Sequence, residues 1–428
     1  MLFVHGSLAL GGVETFYVRM AQGRKKRGLV TKFLILSAES KSHPELVSRA
    51  KACAEVYFLD EIIRSPFRLP SSAIIYQFSL IYPLRRSVVQ EIFNGINCAH
   101  VSNGFCAHMV LRLASVLKVD LGLTMGLYHS MEFSWGARLP RLPLFERSNR
   151  EIFYYLHAAQ ALMFFNEKMV DLYSKLSGKD FSNVGLFPLG VVEGLSTLPI
   201  KRFSPFLNLG SVGRLVDFKT YNLWMLDVVN ELRRLGLTVR YDIYGYGPTE
   251  EIIAEKIRNL HLEDIVFLRG SLDYSEFSKV VSEFDIFVGS GTALIEAAGL
   301  GVPSIIGIEN SNEATTYGFL SEIPGFSYNE DGLYPKRSAV DIFVDFSSYN
   351  ETDKMILSEA HVKKAEMFSV DTCVENFEQV KPSAMLNSPL CRKSSPFFRF
   401  LYTSSVVLFS LFWRIKGRKL SQVVRSVD

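Results

Sequence analysis

Short apolar runs alternate with helix-period patterns along most of this chain. In the first half, residues 1–4, 33–36, 121–128 and 161–165 read as strands, and 73–81 contains another. Helical patterns cover 13–22 after Gly11-Gly12, 110–117 and the stretch around Val170, and 184–189 closes this half. A second set starts at Leu207. Strands are expected over 207–212, 238–244, 265–268, 286–288 and 302–308, with helices over 221–235, 250–260, 274–284 and 293–300 between them. Alternation of this kind predicts two doubly wound, Rossmann-like α/β domains with parallel sheets. The expected division is 1–193, a Gly/Ser/Pro-containing linker over 194–206, 207–375, and a C-terminal return segment and tail over 376–428. Ligands of such sheets bind at the strand carboxyl ends, so a cleft between facing domains is the expected site.

Within residues 286–308, IFVGSGTALIEAAGLGVPSIIGI, Glu296 is the only charge. A buried strand runs into Gly289-Ser290-Gly291-Thr292, a helix follows, Gly301 and Pro303 stop it, and another buried strand begins. A strand, a glycine loop and a helix start form a unit that holds anions on backbone N–H groups. An unpaired carboxylate among Leu294, Ile295, Ala297 and Ala298 would be costly, so Glu296 needs a hydrogen-bonding partner. It is either a helix-dipole carboxylate or a group that grips ligand hydroxyls beside a phosphate loop.

Composition narrows the class. At 428 residues the chain exceeds one ordinary core, and 48% hydrophobic with 21% charged residues describes a globular protein. Five scattered cysteines without a C-x-x-C pair point to a reducing compartment, with neither disulfides nor zinc. No signal peptide is expected before the first strand. The net charge of +3 hides an asymmetry: from Cys391 onward eight basic residues face one acid, leaving the remainder at −4. Only one end is basic, which favours an anionic surface over a nucleic-acid-binding body. In that tail, residues 400–413 are an uncharged run of 14, short of the ~20 needed to span a bilayer. An aromatic, apolar stretch followed by Arg414, Lys416, Arg418 and Lys419 suits an amphipathic helix lying in a membrane interface, with a buried C-terminal helix as the alternative.

Candidate chemistry gathers at strand ends. Gly213-Arg214 follows one strand and Lys219 comes five residues later, a cation pair able to neutralise a diphosphate or simply a solvated basic loop. Tyr244-Gly245-Tyr246-Gly247-Pro248 permits close backbone approach. His129, after another strand, is suited to a sugar hydroxyl or to developing charge, with His100 and His108 as rivals and a satisfied core histidine as the alternative. Residues 131–150 mix Phe133, Trp135 and Phe145 with Arg138, Arg141, Arg147 and Arg150, either an acceptor surface or an ordinary loop and helix face. Arg24-Lys25-Lys26-Arg27 reads as a lipid-facing or helix-ending charge run. No D-x-D pair, metal-ligand spacing, nucleophile elbow or Walker sequence occurs.

Taken together, GGVE at 11–14, GRLVDFK at 213–219, YGYGP at 244–248, LRGSLDYSEF at 268–277 and GSGTALIEAAGLGVPSI at 289–305 resemble the GT-B glycosyltransferases, specifically the retaining family 4. The resemblance implies that Gly11 and Gly12 approach phosphates or acceptor and that Arg214 and Lys219 hold the donor diphosphate. It implies that Glu296 binds ribose and that Gly289, Ser290, Gly291 and Thr292 offer backbone donors, with Gly213 and Gly245 in the same site. It implies a metal-independent hexosyltransferase with no cofactor beyond the nucleotide diphosphate sugar. The family usually carries a Glu eight residues before the ribose-binding one; here that position is Val288.

The expectation is a cytoplasmic glycosyltransferase, peripheral on the inner face of the plasma membrane. It would move a sugar from a nucleotide diphosphate sugar to a glycan or polyprenyl-diphosphate-linked acceptor in capsule, O-antigen or exopolysaccharide biosynthesis. The basic tail would meet anionic lipid, and no nucleic acid is expected as a partner. The alternatives are a nucleotide-sugar epimerase and a non-catalytic subunit of a glycan-assembly complex.

Overall fold

A computed structural model describes the chain except residues 10, 65–75, 130–131, 134–141, 194–202, 386–387 and 418–428. The chain divides into two compact units, Met1–Leu189 with Cys373–Asp428, and Gly190–Thr372. Most of the expected linker lies outside the described residues.

Unit 1 is built on β1 (Leu2–His5), β2 (Lys32–Ile35), β3 (Glu55–Phe58), β4 (Cys98–Val101), β5 (Gly122–Leu127), β6 (Leu162–Phe164) and β7 (Gly185–Leu186). These pair in parallel in the order β3-β2-β1-β4-β5-β6-β7, and Ser383–Ala384 adds an antiparallel pair on β5. The order reverses between β1 and β4. Unit 2 is built on β8 (Leu207–Val212), β9 (Val239–Tyr244), β10 (Val266–Gly270), β11 (Ile286–Gly289) and β12 (Ser304–Ile306). Its parallel order is β10-β9-β8-β11-β12, reversing between β8 and β11. Both faces of the second sheet are covered. Ile286 and Val288 of β11 enter one apolar cluster with Trp224 and Phe343, and Phe287 enters another with Leu294 and Phe368. Burial on both faces is why this strand has no polar side chain.

One expectation for unit 1 needs correction, and one central strand was not expected. The strand sought within 73–81 is, in its described part, a 3₁₀ turn over Tyr76–Leu80. The central strand β4 carries His100, so the apolar-run pattern misses it. The imidazole is tolerated inside the sheet because Nδ1 bonds Thr124 Oγ1 (2.9 Å) and Nε2 bonds Tyr128 OH (2.8 Å). Burial holds its pKa down to about 3. His108 is equally enclosed, with Ser148 Oγ 3.0 Å from Nε2, and is likewise held to about 3. Both are core histidines.

The helix Val370–Gln379 returns to unit 1. Phe377 lies among the rings of Phe3, Phe16, His100, Phe165 and Phe187, with centroids 5.0–6.4 Å away. Part of the charge run at the end of the Gly12–Lys26 helix serves the same packing, through Arg24 and Arg27. Arg24 bonds Glu378 and Thr31, Arg27 bonds Glu375, and Lys25 donates to the Ala52 carbonyl.

The Pro396–Ile415 helix is long and apolar enough to cross a membrane by length and composition. One face is already occupied by protein. Tyr402, Thr403 and Val406 are buried, Tyr402 OH donates to Asn149 Oδ1 (2.9 Å), and Phe398 stacks on His108. The opposite face leaves Phe397, Phe400, Leu408, Leu411, Phe412 and Ile415 exposed. Phe133 and Phe145, read above as a candidate acceptor surface, are core residues; Arg150 pairs with Glu146, and Trp135, Arg138 and Arg141 lie outside the described residues.

Candidate active site

The β8/β11 reversal is where unit 2 opens. Its parallel register runs through Leu209↔Ile286 and Gly210↔Phe287. Beyond it Ser211 Oγ spans the gap, donating to the Val288 carbonyl at 2.7 Å. The two strands then lead into separate loops, the arrangement in which ligands of open α/β sheets bind.

The loop after β9 braces the loop after β8. Gly213 N donates to Tyr244 O (2.9 Å) and Leu215 N to Tyr246 O (3.0 Å). A Cβ on Gly245 would lie 1.8 Å from Gly213 O, and one on Gly247 would lie 2.1 Å from Leu215 O. The G-x-G sequence is therefore required for backbone to approach backbone. This loop positions Arg214 and Lys219. Arg214 is exposed, whereas Lys219 is half-buried, its Nζ 2.9 Å from where a Cβ on Gly213 would stand. Burial lowers the Lys219 pKa, Glu309 opposes that, and Arg214 reinforces it.

After β11 the chain turns through Gly291, at φ 68° and ψ −152°, a conformation suited to glycine, and enters the Thr292–Gly299 helix. The Gly291 peptide is fixed at both ends. Its N–H donates to Asn329 Oδ1 (2.9 Å) and its carbonyl accepts from Tyr328 OH (3.2 Å). The first N–H groups of the helix itself have no intrahelical acceptors and face the same turn. Ser290 Oγ donates to Glu309 Oε1 at 2.8 Å. Glu296, half-buried one turn into the helix, accepts from Tyr274 OH at 2.8 Å. Cationic side chains, a helix start and a carboxylate thus follow the two neighbouring strands of the reversal, β8 and β11. That combination can bind a diphosphate and a neighbouring hydroxyl.

Unit 1 places its candidates differently. Gly12 opens the first helix at the carboxyl end of β1, with Gly11 as its N-cap residue. His5 Nδ1 bonds Ser102 Oγ (2.7 Å) across the β1/β4 reversal, and its Nε2 lies 3.4 Å from Glu14 Oε1. His129 follows β5, and its carbonyl accepts from Tyr173 OH (2.9 Å).

Sequence reasoning brought Arg214, Lys219, Gly213, Gly245, Gly289–Thr292 and Glu296 into consideration, and these gather in unit 2. It missed Glu309, Asn329, Tyr328 and Tyr274. Tyr274 lies inside the LRGSLDYSEF motif, so that signal was available. Val288 is buried within the sheet, in β11 opposite Ile305.

No protein-family model matches the chain. It is 30% identical over 124 residues to the GtfA subunit of the UDP-N-acetylglucosamine–peptide N-acetylglucosaminyltransferase of Streptococcus pneumoniae, covering 28% of this chain and 24% of that protein. It is 28% identical over 141 residues to the Escherichia coli protein named "Putative colanic acid biosynthesis glycosyltransferase WcaL", covering 29% and 34%. The chain thus spans about a quarter to a third of the curated relatives it matches. The structure of Staphylococcus aureus TarM, in complex with UDP and α-GlcNAc-glycerol, superimposes with a TM-score of 0.57 at 12% identity, over 91% of this chain and 99% of that one. The two parallel sheets with their alternating helices are those of the GT-B glycosyltransferase fold.

Proposed function

We propose that this protein is a glycosyltransferase of surface-glycan synthesis, moving a sugar from a nucleotide diphosphate donor, of the UDP class, to a glycan or lipid-linked acceptor. One observation supports the reading: the loop after β8 that carries Lys219 and the turn after β11 that opens the Thr292–Gly299 helix with Glu296 follow the two neighbouring strands of the β8/β11 reversal. In this reading the diphosphate lies against Lys219, Arg214 and the free N–H groups of the helix. These stabilise the negative charge that grows on the phosphate as the glycosidic bond breaks. Glu296, oriented by Tyr274, takes the ribose hydroxyls. The protein cations and helix terminus do this work without a metal ion. Unit 1 takes the acceptor around Gly11, Gly12 and His129. The reading follows retention of configuration, with the departing phosphate assisting deprotonation of the acceptor hydroxyl.

The exposed aromatic face of the Pro396–Ile415 helix ends in Arg414 and Lys416, and the Lys416 ammonium lies 4.5 Å from the Phe412 ring. Apolar bulk beside cations fits a cytoplasmic anionic membrane surface, with the helix lying flat because its other face is held by unit 1.

The test is release of UDP from UDP-sugars in the presence of membranes. Release that requires acceptor supports transfer. Sugar interconversion without release would make the protein an epimerase, and binding without turnover a silent subunit. Removing the tail would strip unit 1 of packing, so membrane attachment is better tested with Phe397→Ser and Phe412→Ser. Together these should move the protein to the soluble fraction with donor binding intact.

A further inference from the structure

We propose that Glu309 reads the transferred sugar, its carboxylate accepting hydrogen bonds from hydroxyls of a hexose carried on the nucleotide diphosphate. This rests on the donor reading above and gives that site its sugar-specific residue.

Glu309 stands three residues beyond β12, at the same strand-end edge as Gly213 and Ser290. Its backbone is fixed from three directions. Gly307 N donates to Gly289 O (2.7 Å), Glu309 N to Asn329 O (2.8 Å), and Asn310 N to Phe218 O (2.8 Å). The carboxylate is half-buried, and Ser290 holds Oε1. Among the described residues Oε2 has no hydrogen-bond partner and no cation lies within ion-pair distance. Burial pushes this carboxyl above the usual range, Glu330 adds to the push, and Ser290 and Lys219 only partly offset it. A carboxylate fixed in this way, with Oε2 open to solvent rather than buried, offers an acceptor that a ligand hydroxyl can take.

The chemistry of that ligand follows from the neighbours. Glu309 feels the charge of Lys219, the cation assigned to the diphosphate. An ionised phosphate has no proton to donate and repels a carboxylate, so Glu309 is not a phosphate ligand. A sugar hydroxyl donates. On a nucleotide diphosphate sugar, the hydroxyls immediately past the phosphate, on the side away from the nucleoside, belong to the transferred hexose. Glu296, bonded to Tyr274, is the separate carboxylate left for the ribose.

The experiment uses the full chain with UDP, GDP and ADP and their hexose conjugates. If the wild-type protein binds none of the nucleoside diphosphates, the donor reading itself fails. For a nucleotide that binds, Glu309→Gln should leave the affinity for the free diphosphate within about threefold, while turnover of its sugar conjugate falls about 50- to 100-fold. Ser290→Ala, which frees the carboxylate to swing, should lose about five- to tenfold by the same measure. Glu309→Asp restores the charge one methylene short and should fall between Gln and wild type, which also covers a Gln variant that fails to fold. Equal losses for free and sugar-bearing nucleotide would make Glu309 structural. Unchanged turnover with tighter binding of the free diphosphate would make it a mere counter-charge for Lys219. Either result overturns the assignment.

Discussion

The two units are built on sheets of the same kind, and each reverses its strand order beside its first strand. At the β1/β4 reversal of unit 1 stand His5, Ser102 and Glu14, an imidazole between a hydroxyl and a carboxylate. At the β8/β11 reversal of unit 2 stand Lys219, Ser290 and Glu309, with a helix start beside them. The first set joins an imidazole to a hydroxyl and a carboxylate; the second includes a lysine, the positive charge that the proposed diphosphate needs. The same order over five parallel strands, which unit 1 extends by β6, β7 and an antiparallel pair, thus carries two different sets of strand-end side chains. What holds the units together also differs. Unit 1 gathers aromatic rings around Phe377, whereas in unit 2 mixed aliphatic and aromatic layers, with Trp224 and Phe343 on one side and Leu294 and Phe368 on the other, cover both faces of β11.

The largest effect should come from breaking the aromatic side of that contrast. Phe377→Ala empties the centre of five rings and should cost unit 1 about 3–5 kcal/mol, read as a separate, earlier calorimetric transition. Nucleotide binding by unit 2 should persist below that transition. Loss of both together would mean that the two units do not unfold independently. The charged side is broken by Lys219→Met, which keeps the apolar stem. Removing a preorganised charge at the departing group should lower turnover about 100-fold or more, with the calorimetric profile unchanged.

How much of this was legible differs between the units for physical reasons. The Ile286-Phe287-Val288 strand is buried on both faces, so its sequence carries no competing signal and the strand–turn–helix unit after it is readable. β4 is equally central but holds His100, which only tertiary partners at Thr124 and Tyr128 make acceptable. Glu296 stood out as the only charge in an apolar run. Glu309 did not, because it follows the end of that run and its partners, Ser290 and Lys219, are remote in sequence. Local spacing does not reveal a carboxylate whose role is set by three loops meeting.

A milder substitution sharpens the anion-binding half. Glu296→Ala removes the acceptor of Tyr274 and of the proposed ribose, and should weaken nucleoside diphosphate binding by about 1–3 kcal/mol in titration calorimetry. Tyr274→Phe should lose less, since the carboxylate remains. Affinity unchanged in Glu296→Ala would remove Glu296 from the nucleotide site and leave Lys219 as the surviving charged element.

The gentlest test separates the units by pH. His100 and His108 in unit 1 are held to about 3, and His361 in unit 2 to about 4, all by burial. The His361 ring also serves as an acceptor, taking the Ser304 N–H at Nε2 (2.9 Å), a role that protonation abolishes. Because these folded values lie below the ordinary 6.5, the unfolded chain takes up protons first on acidification. The contribution to stability is complete above pH 6.5 and declines as pH falls toward the folded values. Each histidine should contribute a slope of roughly 1 kcal/mol per pH unit in that window. Unit 1 carries two such groups and unit 2 one. The raised carboxyl of Glu309 acts in the opposite sense, lending unit 2 some stability as the pH drops. Calorimetry between pH 6.5 and 5 should therefore lower the unit 1 transition more steeply than that of unit 2. His361→Gln, which keeps an acceptor for Ser304 without a titrating ring, should flatten unit 2 further. Parallel slopes for both transitions would show that buried imidazoles do not distinguish the two cores.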